Sequence, residues 1–264
     1  MTKTLVLIAD LHVGSTVGLC PPKATLDDGG SYEISTGQRW LWQSWGKFVD
    51  RVRGLSDPIL IMAGDIIDCD IRQRSYQLIT RNVTTVIKIA TDILDPLIKM
   101  CTKTYVLRGT AAHVGLSAEY EEQIASDFGA VQNPETEKSS WYRLFLKVED
   151  VKVMVSHHGK GLGQEPNASA ARMAARIQLN CTDYYNICPD LAVFAHNHLW
   201  ADSHDAHRTR VVYLPSWCLA SEYAFRLGTI QPANIGAAII TVDKNNYNIE
   251  KVQFNVREAL WTRA

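Results

Sequence analysis

Four apolar runs in this sequence end in side chains that could bind a metal ion. The runs are residues 4–9, 59–63, 151–155 and 191–195. The carboxylates and imidazoles that follow them are Asp10 and His12, Asp65 and Asp68, His157 and His158, and His196 and His198. A carboxylate at the end of a buried run needs a positive partner, and neither Lys nor Arg lies in the stretch from 59 to 68. We therefore expect a cation, although Asp65 alone could also be explained as a turn cap.

The apolar runs predict buried strands, which must bring the polar groups together at one edge. On an extended chain, residues i and i+2 point the same way. This spacing predicts that Asp10 and His12 grip one ion from one side, and that His196 and His198 form a similar pair. Four strand ends of this kind are difficult to explain without a metal.

The order of these motifs resembles that of the calcineurin-like metallophosphoesterases. The matching pattern is Asp-x-His, then Gly-Asp-x-x-Asp, a later His and a closing His-x-His. Two departures occur: Ala195 stands where the family usually has Gly, and the family's Gly-Asn-His motif reads Gly109-Thr110-Ala-Ala-His113. The resemblance implies a layered αββα sandwich, in which two mixed β-sheets are flanked by helices and the metal centre lies at the strand ends.

The resemblance also implies two divalent ions, about 3.5–4 Å apart, that act on an in-line phosphoryl displacement. Asp65 matches the bridging ligand. The remaining ligands would be Asp10, His12 and His198 for one ion, and His157 and His196 for the other. A bridging water with its pKa lowered toward ~7 would be the nucleophile. Oxygen and nitrogen ligands without thiolates favour Mn, Fe or Zn.

Several assignments stay open at this point. His158 is an alternative to His157, and Thr110 could be only a weak neutral ligand in the place of Asn. His113 could donate a proton to the leaving group, the role that we favour, or could replace Asn on the second ion. Asp68 is expected to support the site through a hydrogen bond, without binding metal.

The expected substrate is a phosphate ester, with small or single-stranded phosphodiesters ranked ahead of duplex DNA. The net charge of −1 argues against tight non-specific duplex binding. Candidate phosphate-binding residues are Arg72, Arg74, Arg108, Arg172 and Arg176. The tryptophans at 40, 42 and 45 could pack in the core or form an aromatic wall for a base. Phosphomonoesterase or protein phosphatase activity is the alternative function, and a non-catalytic, metal-organised binding module is another.

Length and composition complete these expectations. The 264 residues, 46% of them hydrophobic, suit one domain, with insertions near 14–36 and 160–189. The second insertion is either a lid beside the site or an ordinary surface helix. Periodicity predicts helices at 38–52, 75–100 and 117–128. The six scattered cysteines and the lack of a ~20-residue apolar run predict a cytoplasmic protein that does not enter membranes.

Overall fold

The computed structural model of the chain is described for residues 2–72, 75–181, 188–226 and 233–256. Its strands, in chain order, are β1 (Lys3–Ile8), β2 (Lys23–Thr25), β3 (Ser31–Glu33), β4 (Pro58–Met62), β5 (Lys103–Leu107), β6 (Ser140–Trp141), β7 (Leu144–Val148), β8 (Val151–Ser156), β9 (Leu191–Phe194), β10 (Ala201–Asp202), β11 (Arg210–Tyr213), β12 (Ile235–Asp243) and β13 (Asn246–Phe254). Its helices are α1 (Thr36–Arg53), α2 (Val83–Ile98), α3 (Ala111–Val114), α4 (Glu119–Asp127), α5 (Pro166–Asn180) and α6 (Glu222–Arg226).

Most of these strands form two mixed sheets. The first has the order β13-β12-β1-β4-β5-β6, and the second has the order β10-β11-β9-β8-β7. In the first sheet β1, β4, β5 and β6 run parallel, whereas β12 and β13 are antiparallel to their neighbours. In the second sheet β8, β9 and β11 are parallel, and β7 and β10 form antiparallel edges.

The strand cores are apolar on both faces because both faces are covered. Leu5 and Leu7 of β1 share a buried cluster with Val153 and Val193 of the second sheet, so the two sheets pack face to face. Alternate residues point the other way, where they meet helices: α1, α2 and α4 cover the first sheet, and α5 covers the second. The predicted αββα sandwich of two mixed sheets is confirmed.

Several helices begin at residues other than those predicted, because capping side chains decide where they start. Ser35 and Gln38 form a capping box, so α1 begins before the predicted residue 38. The second predicted helix, 75–100, begins only at Val83, because the Asn82 side chain accepts the Thr85 N–H and caps it there. The third, predicted to begin at 117, begins at Glu119, and the Ser117 hydroxyl donates to the Glu119 carboxylate.

The two predicted insertions contain regular structure. The first, near 14–36, carries the β2–β3 hairpin. The second, near 160–189, carries α5, whose buried side packs on the outer face of the second sheet through Ala170, Ala174 and Ile177. Among the described residues, no helix combines the length and the apolar character needed to cross a lipid bilayer.

Candidate metal centre

The polar groups singled out in the sequence meet at one edge of the sandwich. They follow the carboxyl ends of β1 and β4 in the first sheet and of β8 and β9 in the second. Backbone pairing continues past the strands and fixes these loops: the Asp10 N–H donates to Gly64 O at 3.0 Å, and the His12 N–H donates to Asp65 O at 3.0 Å. The Ala195 N–H donates to His157 O at 3.0 Å across the second sheet.

Left-handed backbone, rather than an extended chain, aims the ligand side chains. The φ angles of Asp10, His12, Asp65, His196 and His198 are 54°, 46°, 53°, 71° and 54°. Both pairs, Asp10 with His12 and His196 with His198, do reach the site as expected. The expected cause, an extended chain, is wrong, because these residues have left-handed backbone. Residues other than glycine seldom adopt such φ angles, and the exceptions concentrate at functional sites.

Asp10, His12 and His198 form the first cluster of candidate ligands. His12 Nε2 lies 3.1 Å from His198 Nε2, and Asp10 Oδ1 lies 3.4 Å from His198 Nε2 and 3.9 Å from His12 Nε2. Asp10 Oδ1 is fully buried and has no hydrogen bond from any described residue. A buried carboxylate oxygen without a donor, facing two imidazole nitrogens, fits a cation at this point.

The second cluster is formed around Asp65 by three histidines. Asp65 Oδ2 lies 3.1 Å from His157 Nε2 and 4.0 Å from His196 Nδ1. His157 Nδ1 lies 2.7 Å from Ala63 O, so that nitrogen donates and Nε2 is left to bind a metal. His158 joins His157 and His196, with one ring nitrogen of each within 4.8 Å of the others.

Asp65 connects the two clusters. Asp65 is 1% exposed. One carboxylate oxygen of Asp65 also lies within 4.8 Å of a potential ligand atom of Asp10 and of His157. Its other oxygen accepts the Thr110 N–H at 2.6 Å. Burial alone would raise the pKa of Asp65, but the neighbouring His157 outweighs it and the pKa lies well below the ordinary value. A carboxylate with a lowered pKa, lying between two clusters of candidate ligands, fits the role of a bridging ligand.

His113 and Asp68 flank the first cluster. His113 Nδ1 lies 2.9 Å from Asp68 Oδ1, and the rings of His113 and His12 meet edge to face with centroids 4.7 Å apart. Burial would lower the pKa of His113, but the hydrogen bond to Asp68 raises it to about 9. His113 therefore carries a proton at neutral pH. It lies beside the first cluster, and Thr110, not His113, faces the histidines of the second.

Glu121 is a buried residue beside the candidate site that the sequence analysis does not single out. In the structure it is 0% exposed, and its two carboxylate oxygens accept the N–H of Ile66 at 3.0 Å and of Gly109 at 2.5 Å. These donors adjoin Asp65 and Thr110. The signal was present, since Glu121 precedes the buried Ile124 by three positions on the apolar stripe of α4.

The candidate phosphate-binding arginines lie in different parts of the structure. Arg72 is exposed in the loop after Asp68, and Arg74 lies outside the described residues. Arg108 donates to Ser140 at 2.9 Å and lies over the Tyr142 ring at 4.3 Å. The other two candidates, Arg172 and Arg176, are on the exposed side of α5.

The tryptophans of α1 belong to the core. Trp45 is 3% exposed and packs edge to face on Trp217, with ring centroids 4.9 Å apart. Trp40 and Trp42 are partly buried against the same cluster. The packing alternative is therefore correct, and the aromatic wall for a base is not formed by these residues.

Comparisons with known proteins found similarity to solved structures. The sequence matches no protein-family model and no curated protein. Vacuolar Protein Sorting 29 from Cryptosporidium parvum is 10% identical, with a TM-score of 0.47 over 97% of this chain and 99% of that chain. Wild-type Vps29 from Entamoeba histolytica complexed with Zn²⁺ is 11% identical, with a TM-score of 0.45 over 96% and 100%. A dimetal phosphatase from Danio rerio is 10% identical, with a TM-score of 0.44 over 94% and 95%.

The TM-scores of these three structures are all below 0.5, so function is inferred from the side chains of the site. The calcineurin-like resemblance of the motifs agrees with what the structure contains: two mixed sheets, flanking helices, and candidate metal-binding clusters at the strand ends.

Proposed function

We propose that this protein is a metal-dependent phosphoesterase that hydrolyses phosphodiesters of nucleotides or single-stranded nucleic acid. One observation carries the proposal: Asp65 joins two clusters of carboxylate and imidazole ligands, and the buried Asp10 Oδ1 lacks a donor among the described residues. When bound there, two divalent cations would neutralise phosphate oxygens and lower the pKa of a water molecule. The oxygen and nitrogen donors favour Mn, Fe or Zn.

The protein's own contribution is to hold the ligands and to move a proton. Asp68 fixes His113 through Nδ1, so Nε2 is the nitrogen that can donate a proton to the leaving oxygen. A positioned general acid contributes roughly 10²–10⁴ in rate. Burial would raise the pKa of Asp68, but hydrogen bonds with His113 and His12 hold it below the ordinary value. Asp68 thus stays an acceptor while His113 acts as the acid.

The substrate class rests on charge. A net charge of −1 offers little non-specific affinity for duplex DNA, since such affinity comes from many phosphate contacts. Arg72 is exposed in the loop that follows Asp68, a position suited to a single phosphate. Small or single-stranded diesters are therefore preferred to duplexes.

The test compares two aspartates of the same loop. Purified protein with Mn²⁺ or Zn²⁺ should hydrolyse an aryl phosphodiester, and a chelator should abolish this. Asp65→Asn should lose activity and remain folded. Asp70→Asn is the matched control, since Asp70 is also buried but accepts the Ser75 N–H at 2.8 Å, which an Asn oxygen can replace. Full activity of Asp65→Asn, or full activity in chelator, would contradict the proposal.

Thr110 favours a second candidate, a binding module in which metal only organises a surface. A threonine hydroxyl is a weak neutral ligand where the resemblance implies an Asn. A panel of labelled DNA, cyclic nucleotides, phosphomonoesters and a phosphoprotein separates the candidates. Tightly held metal without turnover on any substrate supports the binding module, and activity on the phosphoprotein alone supports a protein phosphatase.

A further inference from the structure

The second cluster contains one histidine more than the motif resemblance implies. Thr110 Oγ1 lies 3.3 Å from His157 Nε2, 3.3 Å from His158 Nε2 and 3.1 Å from His196 Nδ1. The hydroxyl thus sits among three imidazoles. It can donate to only one acceptor nitrogen, so three imidazole nitrogens that present lone pairs here cannot all be satisfied by it. A cation shared by the imidazoles would satisfy them together.

His113 is not the residue that compensates for the missing Asn. Its Nδ1 is held by Asp68, and its ring packs on His12 of the first cluster. The candidate that remains at the second cluster is His158. Its ring centroid lies 4.7 Å from that of His157 and 4.8 Å from that of His196.

Two consecutive histidines can reach one cluster because the strand has ended. β8 stops at Ser156, and the chain bends at His157, so the alternation that would separate the two side chains no longer applies. His157 is 1% exposed, whereas His158 is exposed. His157 therefore approaches the cluster from the interior and His158 from the solvent side.

We propose that His158 is a ligand of the second ion and takes the place of the absent Asn. This inference deepens the proposed function and rests on its second metal site. The second ion would then be held by Asp65, His157, His158 and His196, with the Thr110 hydroxyl beside them. Three imidazoles and one carboxylate favour Zn²⁺, Co²⁺ or Fe²⁺ over Mg²⁺ or Ca²⁺.

The experiment measures metal binding without turnover. Metal-free protein is titrated with Zn²⁺ by calorimetry and with Co²⁺ by visible absorption, and bound metal is counted by elemental analysis. The wild type should bind two ions per chain. His158→Ala should keep the first and bind the second at least about 100-fold more weakly, because losing even an outer partner of a ligand costs 10–100-fold. His204→Ala, an exposed histidine beside Asp202, should bind both ions as the wild type does.

A second variant tests the substitution directly. Adding Thr110→Asn to His158→Ala supplies an amide oxygen where the hydroxyl stood, and should restore much of the second ion's affinity. Unchanged affinity in His158→Ala, or only one ion in the wild type, would overturn the inference. Turnover by a wild type that holds one ion would leave the proposed function standing. Two bound ions, of which only the second depends on His158, together with no turnover would support the inference and count against the proposed enzyme activity.

Discussion

Replacing Glu121 with Gln should weaken the metal centre from a distance. Glu121 contacts none of the six expected ligands directly, but its carboxylate accepts the N–H of Ile66 and of Gly109. It therefore ties the loop that carries Asp65 to the loop that carries Thr110. Glutamine keeps the side-chain shape and one acceptor oxygen. Its NH₂ group must then face the other backbone N–H, and two donors cannot pair.

The size of the effect follows from burial. Because Glu121 is 0% exposed, water cannot satisfy the abandoned N–H, and a buried unsatisfied donor costs about 1–3 kcal/mol. Burial, and then the charge of Asp65, raises the pKa of Glu121 to about 7. The measurement should therefore be made near pH ~8, where the carboxylate is ionised. The free energy of unfolding should fall by about 1–3 kcal/mol, and affinity for the second ion by about 10–100-fold.

Glu122→Gln is the matched control. Glu122 is the next residue of α4, and its carboxylate also accepts two backbone N–H groups, from Ser139 and Ser140, both at 2.9 Å. Those donors precede β7 and are not in the ligand loops. Chemical denaturation should show losses of stability in both variants, whereas calorimetric metal titration should show weakened binding only in Glu121→Gln. Equal metal affinity in the two variants would refute the positioning role.

Three further predictions concern single side chains. Gly109→Ala should abolish metal binding, because the added Cβ would lie 2.3 Å from the Asp65 backbone nitrogen; Gly46→Ala, with open space around its Cβ, should bind metal normally in the same titration. His113→Ala should keep its metal content by elemental analysis and lose roughly 10²–10⁴ in rate, with less loss on good leaving groups; an unchanged rate would contradict the general acid. Burial would raise the pKa of Asp202, but hydrogen bonds from Arg210 hold this pKa below 3.8. The Asp202–Arg210 pair therefore stabilises the fold fully above pH 3.8, and its contribution is lost as the pH falls through the lowered pKa of Asp202. Acid unfolding followed by circular dichroism should be less pH-dependent in Asp202→Asn, and an identical profile would refute the linkage.

The strand ends were predictable because hydrophobicity and polarity change abruptly there. An apolar run followed by Asp or His can be found in one sequence, and the same feature repeated four times indicated a shared site. The fold followed from alternating strands and helices together with the motif resemblance. What these patterns could not supply was the backbone geometry. Asp10-Leu-His12 gives only a weak signal for two left-handed residues, since glycine is the usual signal, although aspartate and histidine adopt this conformation more often than most residues do.

Contacts distant in sequence account for the other differences. His157 and His158 could not be separated as candidates, and the structure brings both to the second cluster. The role of Glu121 is not visible in its own helix, because its hydrogen-bond partners are 55 and 12 residues away. Local charge rules describe a helix end in water and do not apply to a carboxylate with no exposure.

The strained backbone and the orphaned carboxylate oxygen have one common explanation. Left-handed conformations at non-glycine residues cost on the order of 1–3 kcal/mol each, and a buried acceptor without a donor adds to this. The surrounding backbone holds them in place: Asp10 is fixed by its N–H to Gly64 O and by the Trp217 N–H to its own carbonyl, and His198 by the Asn234 N–H to its carbonyl. Each of these bonds joins separate segments of the fold. These backbone bonds therefore hold the candidate ligand residues in place, and the unfavourable groups are those that a cation would satisfy.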